Sequence, residues 1–265
     1  MKTLLVGDID TYAHNLLEAK TQLTKITNEE FTSTTSFPEF QAIVLRTYTT
    51  LKKEDLDKLP LLKFVVSCSV GINNLDVEEL KLRNIELVHC PGTNANSVAE
   101  HTLYLLLSTL REDTKKPYAE LKGKTMGIIG LGYIGKLVAQ KLLGFDLKVI
   151  AFDVIKQDQA VLEKLNVTME DFETVFTIHV PLNKHTANLV NKSAFEKMKQ
   201  GSFFINTSRE EVINEGDLIT FFNQGKFRGI DLDVCSAEFT SKINKGNVIV
   251  TDHVAAQGED SFKNM

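Results

Sequence analysis

The stretch KTMGIIGLGYIG, residues 124–135, decides the fold of this chain. A short apolar run leads into three glycines spaced as Gly130-x-Gly132-x-x-Gly135, and a helix-period pattern follows. Gly130 permits a tight turn, Gly132 lets the backbone approach a pyrophosphate, and Gly135 lets helix and strand pack closely. The helix N-terminus offers free N–H groups and partial positive charge to an anion. The pattern predicts a dinucleotide-binding strand–turn–helix unit.

An acidic residue stands where such a unit needs one. Asp153 ends the next apolar run, LKVIAFD, 23 residues after Gly130, close to the usual spacing of about 20. A carboxylate there accepts hydrogen bonds from a ribose hydroxyl and repels a 2′-phosphate, which favours NAD over NADP. A structural turn followed by a surface aspartate is the alternative at this point.

The same alternation of apolar runs and helical patterns extends along the whole chain. Many runs are apolar on both faces, as strands between two helical layers are. We predict an α/β protein with two doubly wound parallel-sheet domains, one over residues 1–93, with 254–265 as a candidate to return to it, and one over 94–253. The predicted helices include 97–111, 135–143 and 216–225, and the predicted strands are 3–6, 42–46, 63–67, 86–89, 125–129, 148–152, 175–179, 202–206, 228–232 and 247–251.

Composition excludes several classes of protein. The formal net charge of −5 argues against a nucleic-acid partner, which needs a basic face. The three cysteines, Cys68, Cys90 and Cys235, are too scattered for a disulfide framework or a zinc site, so no metal is expected. The first apolar run ends at Gly7, too early for a signal peptide or membrane span. We expect a cytoplasmic protein with no membrane partner.

Three candidates for chemistry follow predicted strands of the second half. Arg209 follows SFFIN, Glu238 follows RGIDLDV, and His253 follows NVIVT. Open α/β sheets bind ligands at this edge. An imidazole suits proton transfer to or from a hydroxyl, a carboxylate can orient it, and a guanidinium can hold a substrate carboxylate. Taken alone, His253 is better explained as a structural or surface residue, and Arg209 and Glu238 as solvated charges; their joint placement at strand ends favours the chemical role.

Seven blocks carry a resemblance to a known family. They are FVVSCSVGINNLD (64–76), CPGTNANSVAEHT (90–102), LKGKTMGIIGLGYIGKLVA (121–139), HVPLNKHTANLVN (179–191), MKQGSFFINTSREEVINEGDL (198–218), GIDLDVCSAE (229–238) and TDHVAAQ (251–257). In this order they resemble the D-isomer specific 2-hydroxyacid dehydrogenases. The resemblance implies a flavodoxin-like substrate domain, a Rossmann domain for NAD, and hydride transfer between nicotinamide and C2 of a small D-2-hydroxy or 2-keto acid.

The resemblance also implies roles for individual residues. Arg209 corresponds to the substrate-binding arginine, Glu238 to the glutamate that pairs with the catalytic histidine, and His253 to that histidine. Asp233 corresponds to the residue that holds the nicotinamide carboxamide. The helix at 97–111 resembles one through which family members form homodimers, although it is equally explained as a core helix. The implied cofactor-binding set is Gly130, Gly132, Tyr133, Ile134, Gly135, Asp153, His179, Pro181, Thr207 and Asp233.

The identity of the acid is more open. Backbone N–H groups of Val70 and Gly71 correspond to those that receive the substrate carboxylate. The segment VLRTYTTL (44–51), with Arg46, and also Asn94 resemble the family branch that acts on 3-phosphoglycerate, where Arg46 would meet the phosphate. A surface salt bridge explains Arg46 nearly as well, and glyoxylate and hydroxypyruvate reductases share the core motifs.

Departures from the family pattern leave other functions open. Ser69 replaces the first glycine of the substrate loop, Glu210 a glycine after the arginine, and Asp252 a proline before the histidine. An NADH-sensing interaction protein, or an inactive remnant of the same fold, are the alternatives to an enzyme.

Overall fold

The computed structural model describes residues 1–111, 118–170, 176–243 and 246–264. The chain divides into two compact units, which are described separately. The first unit comprises Met1–Asn94 and the segment from Glu259 onward, and the second unit comprises Ala95–Gly258.

The first unit is built on a parallel sheet with the order β2-β1-β3-β4-β5. This is the flavodoxin-like order of a doubly wound sheet. One core cluster packs against it, with Leu4, Ile43 and Val65 from the strands and Phe31 and Leu80 from helices. Its elements are β1 (Lys2–Val6), α1 (Thr11–Lys20), β2 (Gln22–Ile26), α2 (Asn28–Ser33), β3 (Ala42–Leu45), α3 (Lys53–Asp57), β4 (Phe64–Ser67), α4 (Val77–Leu82) and β5 (Glu86–His89).

The second unit is built on a larger parallel sheet, β12-β11-β10-β9-β6-β7-β8. Its elements are α5 (Ala95–Thr109), β6 (Thr125–Ile129), α6 (Tyr133–Leu142), β7 (Lys148–Phe152), α7 (Gln159–Leu165), β8 (Val167–Met169), β9 (Phe176–Ile178), α8 (Lys192–Lys197), β10 (Ser202–Asn206), α9 (Glu215–Asn223), β11 (Phe227–Leu232), α10 (Phe239–Lys242) and β12 (Val248–Val250), with 3₁₀ turns at Leu143–Phe145 and Glu210–Val212. The last helix, α11 (Glu259–Asn264), belongs to the first unit.

Strand order in the second unit is that of a Rossmann fold. Counted from β6, the strands lie in the order 3-2-1-4-5-6, with β12 added at one edge. Successive residues of one strand serve opposite faces, because side chains alternate along a strand: Phe203 belongs to one core cluster and Phe204 to the other. The first cluster contains residues of α5, α6 and α7, and the second contains residues of α8, α9 and α10. The predicted α/β class with two doubly wound sheets is confirmed.

The predicted strands lie within two residues of the observed ones, and residue 175 of the 175–179 prediction lies outside the described residues. Two strands were not predicted. β2 is an edge strand with no fully buried residue, and β8 is an edge strand of three residues. Edge strands of this kind carry little apolar pattern, which explains why they were missed. The helix predicted at 97–111 spans Ala95–Thr109, and its role in a homodimer stays a prediction.

Candidate active site

The glycine-rich turn lies at the point where strand order reverses. β6 is flanked by β7 on one side and by β9 on the other. The turn is joined to both neighbours, since Gly130 N donates to Phe152 O (2.8 Å) and His179 N donates to Ile129 O (2.7 Å). Ligands of open α/β sheets bind outside the carboxyl ends of the strands at such a switch point.

The three glycines have different reasons to be glycine. Gly130 has a φ of +91°, and an added Cβ would lie 2.7 Å from the backbone oxygen of His179. At Gly135, an added Cβ would lie 2.1 Å from Gly130 O. At Gly132, by contrast, an added Cβ would meet nothing within 4 Å among the described residues. The protein itself requires the outer two glycines, whereas the space over Gly132 is left open.

That open space faces the N-terminus of α6. Gly132 is its N-cap and offers no side-chain hydrogen bond, so the first N–H groups of the helix keep donors for a ligand. Tyr133 is 67% exposed, while Ile134 packs against the core. The helix N-terminus has no side-chain cap, and a Cβ at Gly132 would occupy the space in front of it. This space and these free N–H groups fit the pyrophosphate of a dinucleotide.

Asp153 braces the same turn. Its carboxylate accepts hydrogen bonds from Leu131 N (2.7 Å) and Ile155 N (2.8 Å). Each oxygen of an ionised carboxylate can accept a second bond. The residue predicted to bind ribose is therefore oriented by the backbone, with acceptor capacity to spare.

Three further predicted cofactor residues follow β9 and β10. His179 is buried, its Nε2 lies 2.9 Å from the Thr177 hydroxyl, and burial lowers its pKa to about 3. Pro181 is exposed, and its carbonyl accepts from Thr186 Oγ1 (2.5 Å). Thr207 is buried with its hydroxyl 3.2 Å from that of Thr102. His179 is thus an uncharged, internal histidine.

Arg209 stands on a loop that Asn206 organises. The Asn206 side chain donates to Arg209 O (2.9 Å) and accepts from the backbone N (3.0 Å) and hydroxyl (2.8 Å) of Ser208. One guanidinium nitrogen of Arg209 donates to Ser208 O (2.7 Å). Burial lowers the pKa of Arg209, while Glu211 acts in the opposite direction. A partly desolvated guanidinium interacts strongly with an anion.

The turn after β12 carries His253 in the left-handed region. His253 has a φ of +53°, which is uncommon for a residue with a side chain. Its backbone N donates to Asp233 O (2.9 Å) and Thr251 O (3.0 Å). Strained backbone of this kind persists only where surrounding structure holds it, and it is concentrated at functional sites.

The buried carboxylate of Asp233 holds this turn. It accepts from the Thr251 hydroxyl (2.6 Å), Val254 N (2.9 Å) and Ala255 N (3.0 Å). Burial acts to raise the pKa of Asp233, but the hydrogen bonds it accepts, above all from His101 and Thr251, bring it below the ordinary value. The structure therefore gives this carboxylate protein partners, and its contact with a nicotinamide carboxamide stays a prediction.

His253 and Arg209 lie close enough to influence each other. Desolvation and the positive charge of Arg209 lower the pKa of His253, and the Asp233 charge acts in the opposite direction. Desolvation and Arg209 together outweigh Asp233, so the pKa of His253 lies below its ordinary value, which favours the neutral imidazole.

Glu238 is not paired with His253 in this structure. Its exposed carboxylate forms an ion pair with Lys242, four residues on, which lowers the pKa of Glu238. The structure therefore gives Glu238 a partner four residues along its own segment, and its pairing with His253 stays a prediction. Asp252 is exposed, and burial with the charges of Glu211 and Glu215 raises the pKa of Glu210.

The predicted substrate residues of the first unit follow β3, β4 and β5. Arg46 acts electrostatically on Cys68, whose pKa is raised to about 11 by burial and by Cys90, with Arg46 opposing. Among the described residues, the N–H groups of Val70 and Gly71 donate to no protein acceptor. The Oδ1 atom of Asn94 is buried without a hydrogen-bond partner in the same part of the chain. The two N–H groups and the Asn94 oxygen are polar groups without a protein partner among the described residues.

Sequence reasoning missed residues that support the site. His101 and Ser97 on α5 contact the segment 251–258, and Glu215 accepts from both the N–H (2.8 Å) and the hydroxyl of Ser236. The helical spacing of Ser97 and His101 is the signal that could have placed them on one face of α5. In the described ranges, no helix is long and apolar enough to cross a membrane, and no three acidic, histidine or cysteine side chains are grouped for a metal.

The Rossmann sheet and its glycine-rich turn define a dinucleotide-binding protein. Residues 93–255 match the family described as D-isomer specific 2-hydroxyacid dehydrogenase, NAD binding domain. The chain belongs to this family.

Named proteins that are similar in sequence or structure support this family membership. The chain is 33% identical to D-3-phosphoglycerate dehydrogenase of Archaeoglobus fulgidus, over 97% of this chain and 53% of that protein. It is 31% identical to hydroxypyruvate reductase of Thermotoga maritima, over 83% and 79%. D-lactate dehydrogenase from Aquifex aeolicus, solved with NAD and lactic acid, is similar with a TM-score of 0.83 and 27% identity, over 99% and 91%. The chain spans about half the length of the curated D-3-phosphoglycerate dehydrogenases it matches.

Proposed function

We propose that this chain catalyses the reversible oxidation of a small D-2-hydroxy acid to its 2-keto acid with NAD. The observation that carries the proposal is the placement of His253 and Arg209, close enough to influence each other, at the same sheet edge as the glycine-rich turn. Family membership and the names of the relatives support this reaction class.

His253 is the proposed acid–base residue. When bound, NAD would supply the acceptor for the hydride that leaves C2 of the hydroxy acid. A neutral imidazole takes the proton from the substrate hydroxyl, and the imidazolium returns it to the C2 oxygen in the reverse direction. Arg209 holds the substrate carboxylate and polarises the C2 oxygen through its N–H donors. Desolvation and the nearby guanidinium lower the pKa of His253, which favours the base form.

Glu238 is the proposed carboxylate partner of His253. Its present ion pair with Lys242 is exposed, and solvent screens the attraction within such a pair. An exchange of partner therefore costs little. On His253, the carboxylate would orient the ring and favour the imidazolium.

The proposed NAD site is formed by the turn after β6. Gly132 and the first N–H groups of α6 bind the pyrophosphate, and Asp153 accepts from the ribose hydroxyls. Tyr133, Ile134, His179, Pro181, Thr207 and Asp233 complete the proposed cofactor set.

The proposed substrate residues of the first unit are Arg46, Val70, Gly71 and Asn94. The unused N–H groups of Val70 and Gly71 suit a carboxylate, and Arg46 suits a phosphate. This charge pattern, with the similarity to D-3-phosphoglycerate dehydrogenases, makes 3-phosphoglycerate the leading substrate.

A panel of 2-keto acids tests the proposal. NADH oxidation is followed with 3-phosphohydroxypyruvate, hydroxypyruvate, glyoxylate and pyruvate, alongside NADH binding by fluorescence. We expect turnover, highest with the phosphorylated acid. Turnover with another acid would retain the reaction class and reject the phosphate assignment. Tight NADH binding without turnover would contradict the enzyme and point to a sensor or an inactive protein.

A further inference from the structure

Two side chains of α5 form hydrogen bonds with the segment that follows β12. Ser97 Oγ donates to Ala255 O (2.7 Å) and accepts from Gly258 N (3.1 Å). One turn later, His101 Nε2 lies 3.1 Å from Thr251 Oγ1. Residues four apart share one face of a helix, so a single stripe of α5 contacts both ends of the turn that carries His253.

The protons of this contact can be assigned. An ionised carboxylate only accepts, and a threonine hydroxyl has one proton to donate. The Thr251 proton goes to Asp233 Oδ1 at 2.6 Å. His101 Nε2 must therefore carry a proton and donate to Thr251 Oγ1, with Asp233 Oδ1 also 3.5 Å from it.

The chain of bonds continues into the His253 turn. The carboxylate that receives the Thr251 proton also accepts from Val254 N and Ala255 N, and its backbone oxygen accepts from His253 N. These bonds flank His253, whose φ of +53° is unfavourable for a residue with a side chain. The side chain of His101 is only 15% exposed. Little water is therefore available to replace the hydrogen bond that its Nε2 donates to Thr251 Oγ1.

We propose that His101 is a positioning residue for His253. Through Thr251 and Asp233, it holds the turn in the conformation from which His253 reaches the C2 oxygen. This inference rests on the proposed hydride-transfer function only for its catalytic consequence, because its structural part is measurable without substrate.

Hydrogen exchange measures the structural part. NMR-detected exchange of the amides of His253, Val254 and Ala255 is compared between wild type and His101→Phe, with amides of β6 as the internal reference. Phe keeps a ring and removes the Nε2 donor. We expect protection of the three amides to fall about tenfold, the value of one hydrogen bond, with β6 unchanged.

Three matched variants separate positioning from general damage. His101→Gln retains an N–H donor and should restore protection to within about threefold of wild type, less than the value of one typical hydrogen bond. Thr251→Val removes the linking hydroxyl at constant shape and should reproduce the loss, which keeps the test valid if His101→Phe does not fold. Thr109→Val removes a buried hydroxyl of α5 that bonds Asn247 instead, and should leave the three amides unchanged.

Kinetics measure the catalytic part. His101→Phe should lower kcat about tenfold or more, while KM and binding of NADH stay near wild type, because the base is displaced and the dinucleotide turn is untouched. His101→Phe and Thr251→Val with wild-type exchange and wild-type kcat would overturn the inference. No turnover in wild type would instead reject the proposed function, and the exchange result would still decide whether His101 holds the turn.

Discussion

In the first unit the loop after β3 is held by uncharged groups, whereas in the second unit the turn after β12 is held by a buried carboxylate. Asn74 Nδ2 donates to Arg46 O (3.3 Å) and Thr49 O (2.7 Å). Thr47 N donates to Ser69 Oγ (3.1 Å), and Tyr48 OH exchanges hydrogen bonds with the Asp8 backbone.

The second unit concentrates charge at the equivalent edge. Asp233, Arg209 and His253 each have a shifted pKa: burial and accepted hydrogen bonds act on Asp233, burial and Glu211 act on Arg209, and desolvation with the charges of Arg209 and Asp233 acts on His253. Uncharged contacts hold a loop at any moderate pH, while coupled charges suit chemistry that moves a proton. From this difference we expect pH to act mainly through the second unit.

The largest effect is expected at the charged edge. His253→Ala should lower kcat/KM about 10²–10⁴-fold, the range contributed by a general base. NADH binding should persist, because the glycine-rich turn is unaffected. His14→Ala, a histidine of α1, is the control and should retain full activity. A fully active His253→Ala would remove the distinction between the two units.

The glycine-rich turn allows a paired test of structure against binding. Gly135→Ala places a Cβ against Gly130 O and should cost about 3 kcal/mol of unfolding free energy. Gly132→Ala has open space and ordinary φ (−83°), so stability should change by less than about 0.5 kcal/mol while NADH affinity falls. Urea unfolding and NADH titration measure both. Unchanged NADH affinity in Gly132→Ala would contradict the pyrophosphate site.

His179 should make the second unit acid-sensitive. Its pKa is lowered to about 3 in the folded chain, against about 6.5 when unfolded. Between these two values the unfolded chain binds a proton on this histidine that the folded chain does not bind. The contribution of the neutral, buried His179 to the free energy of unfolding is therefore complete above about pH 6.5 and is lost as pH falls toward 3. At about pH 5 wild type should have lost about 2 kcal/mol relative to His179→Gln. Urea unfolding at about pH 5 and above about pH 6.5 measures this difference. An equal loss of unfolding free energy in wild type and His179→Gln would contradict it.

Asp153→Ala should relax the preference for NADH over NADPH about tenfold, since the repulsion of a 2′-phosphate is removed. Because Asp153 also braces Leu131 N and Ile155 N, Asp153→Asn is the control: its amide oxygen keeps an acceptor while the charge is lost. The ratio of the two kcat/KM values is the measurement. Unchanged discrimination in both variants would show that this carboxylate does not select the cofactor.

The smallest effect is expected in the uncharged loop. Ser69→Ala removes the acceptor of Thr47 N and should cost about 1 kcal/mol. The KM for the keto acid should rise about threefold, within what one hydrogen bond supplies, with kcat and the pH profile unchanged. A shift in the pH profile would show that the first unit shares the titrating role.

Much of the fold could be read from local pattern. Apolar strands buried on both faces and the spacing of Gly130, Gly132 and Gly135 identified the α/β class and the turn, because burial and backbone geometry restrict residue type locally. The edge strands β2 and β8 lacked that signal, since an edge strand is buried on fewer sides.

Strand order, and with it the meeting of side chains, was decided only by tertiary structure. The sequence placed Arg209 and His253 after strand ends, but only packing brought them close enough for the charge of Arg209 to lower the pKa of His253. Packing also paired Glu238 with Lys242 and set His101 beneath Thr251. A strand end restricts the residue that stands there, whereas a hydrogen bond across 150 residues depends on how distant elements pack.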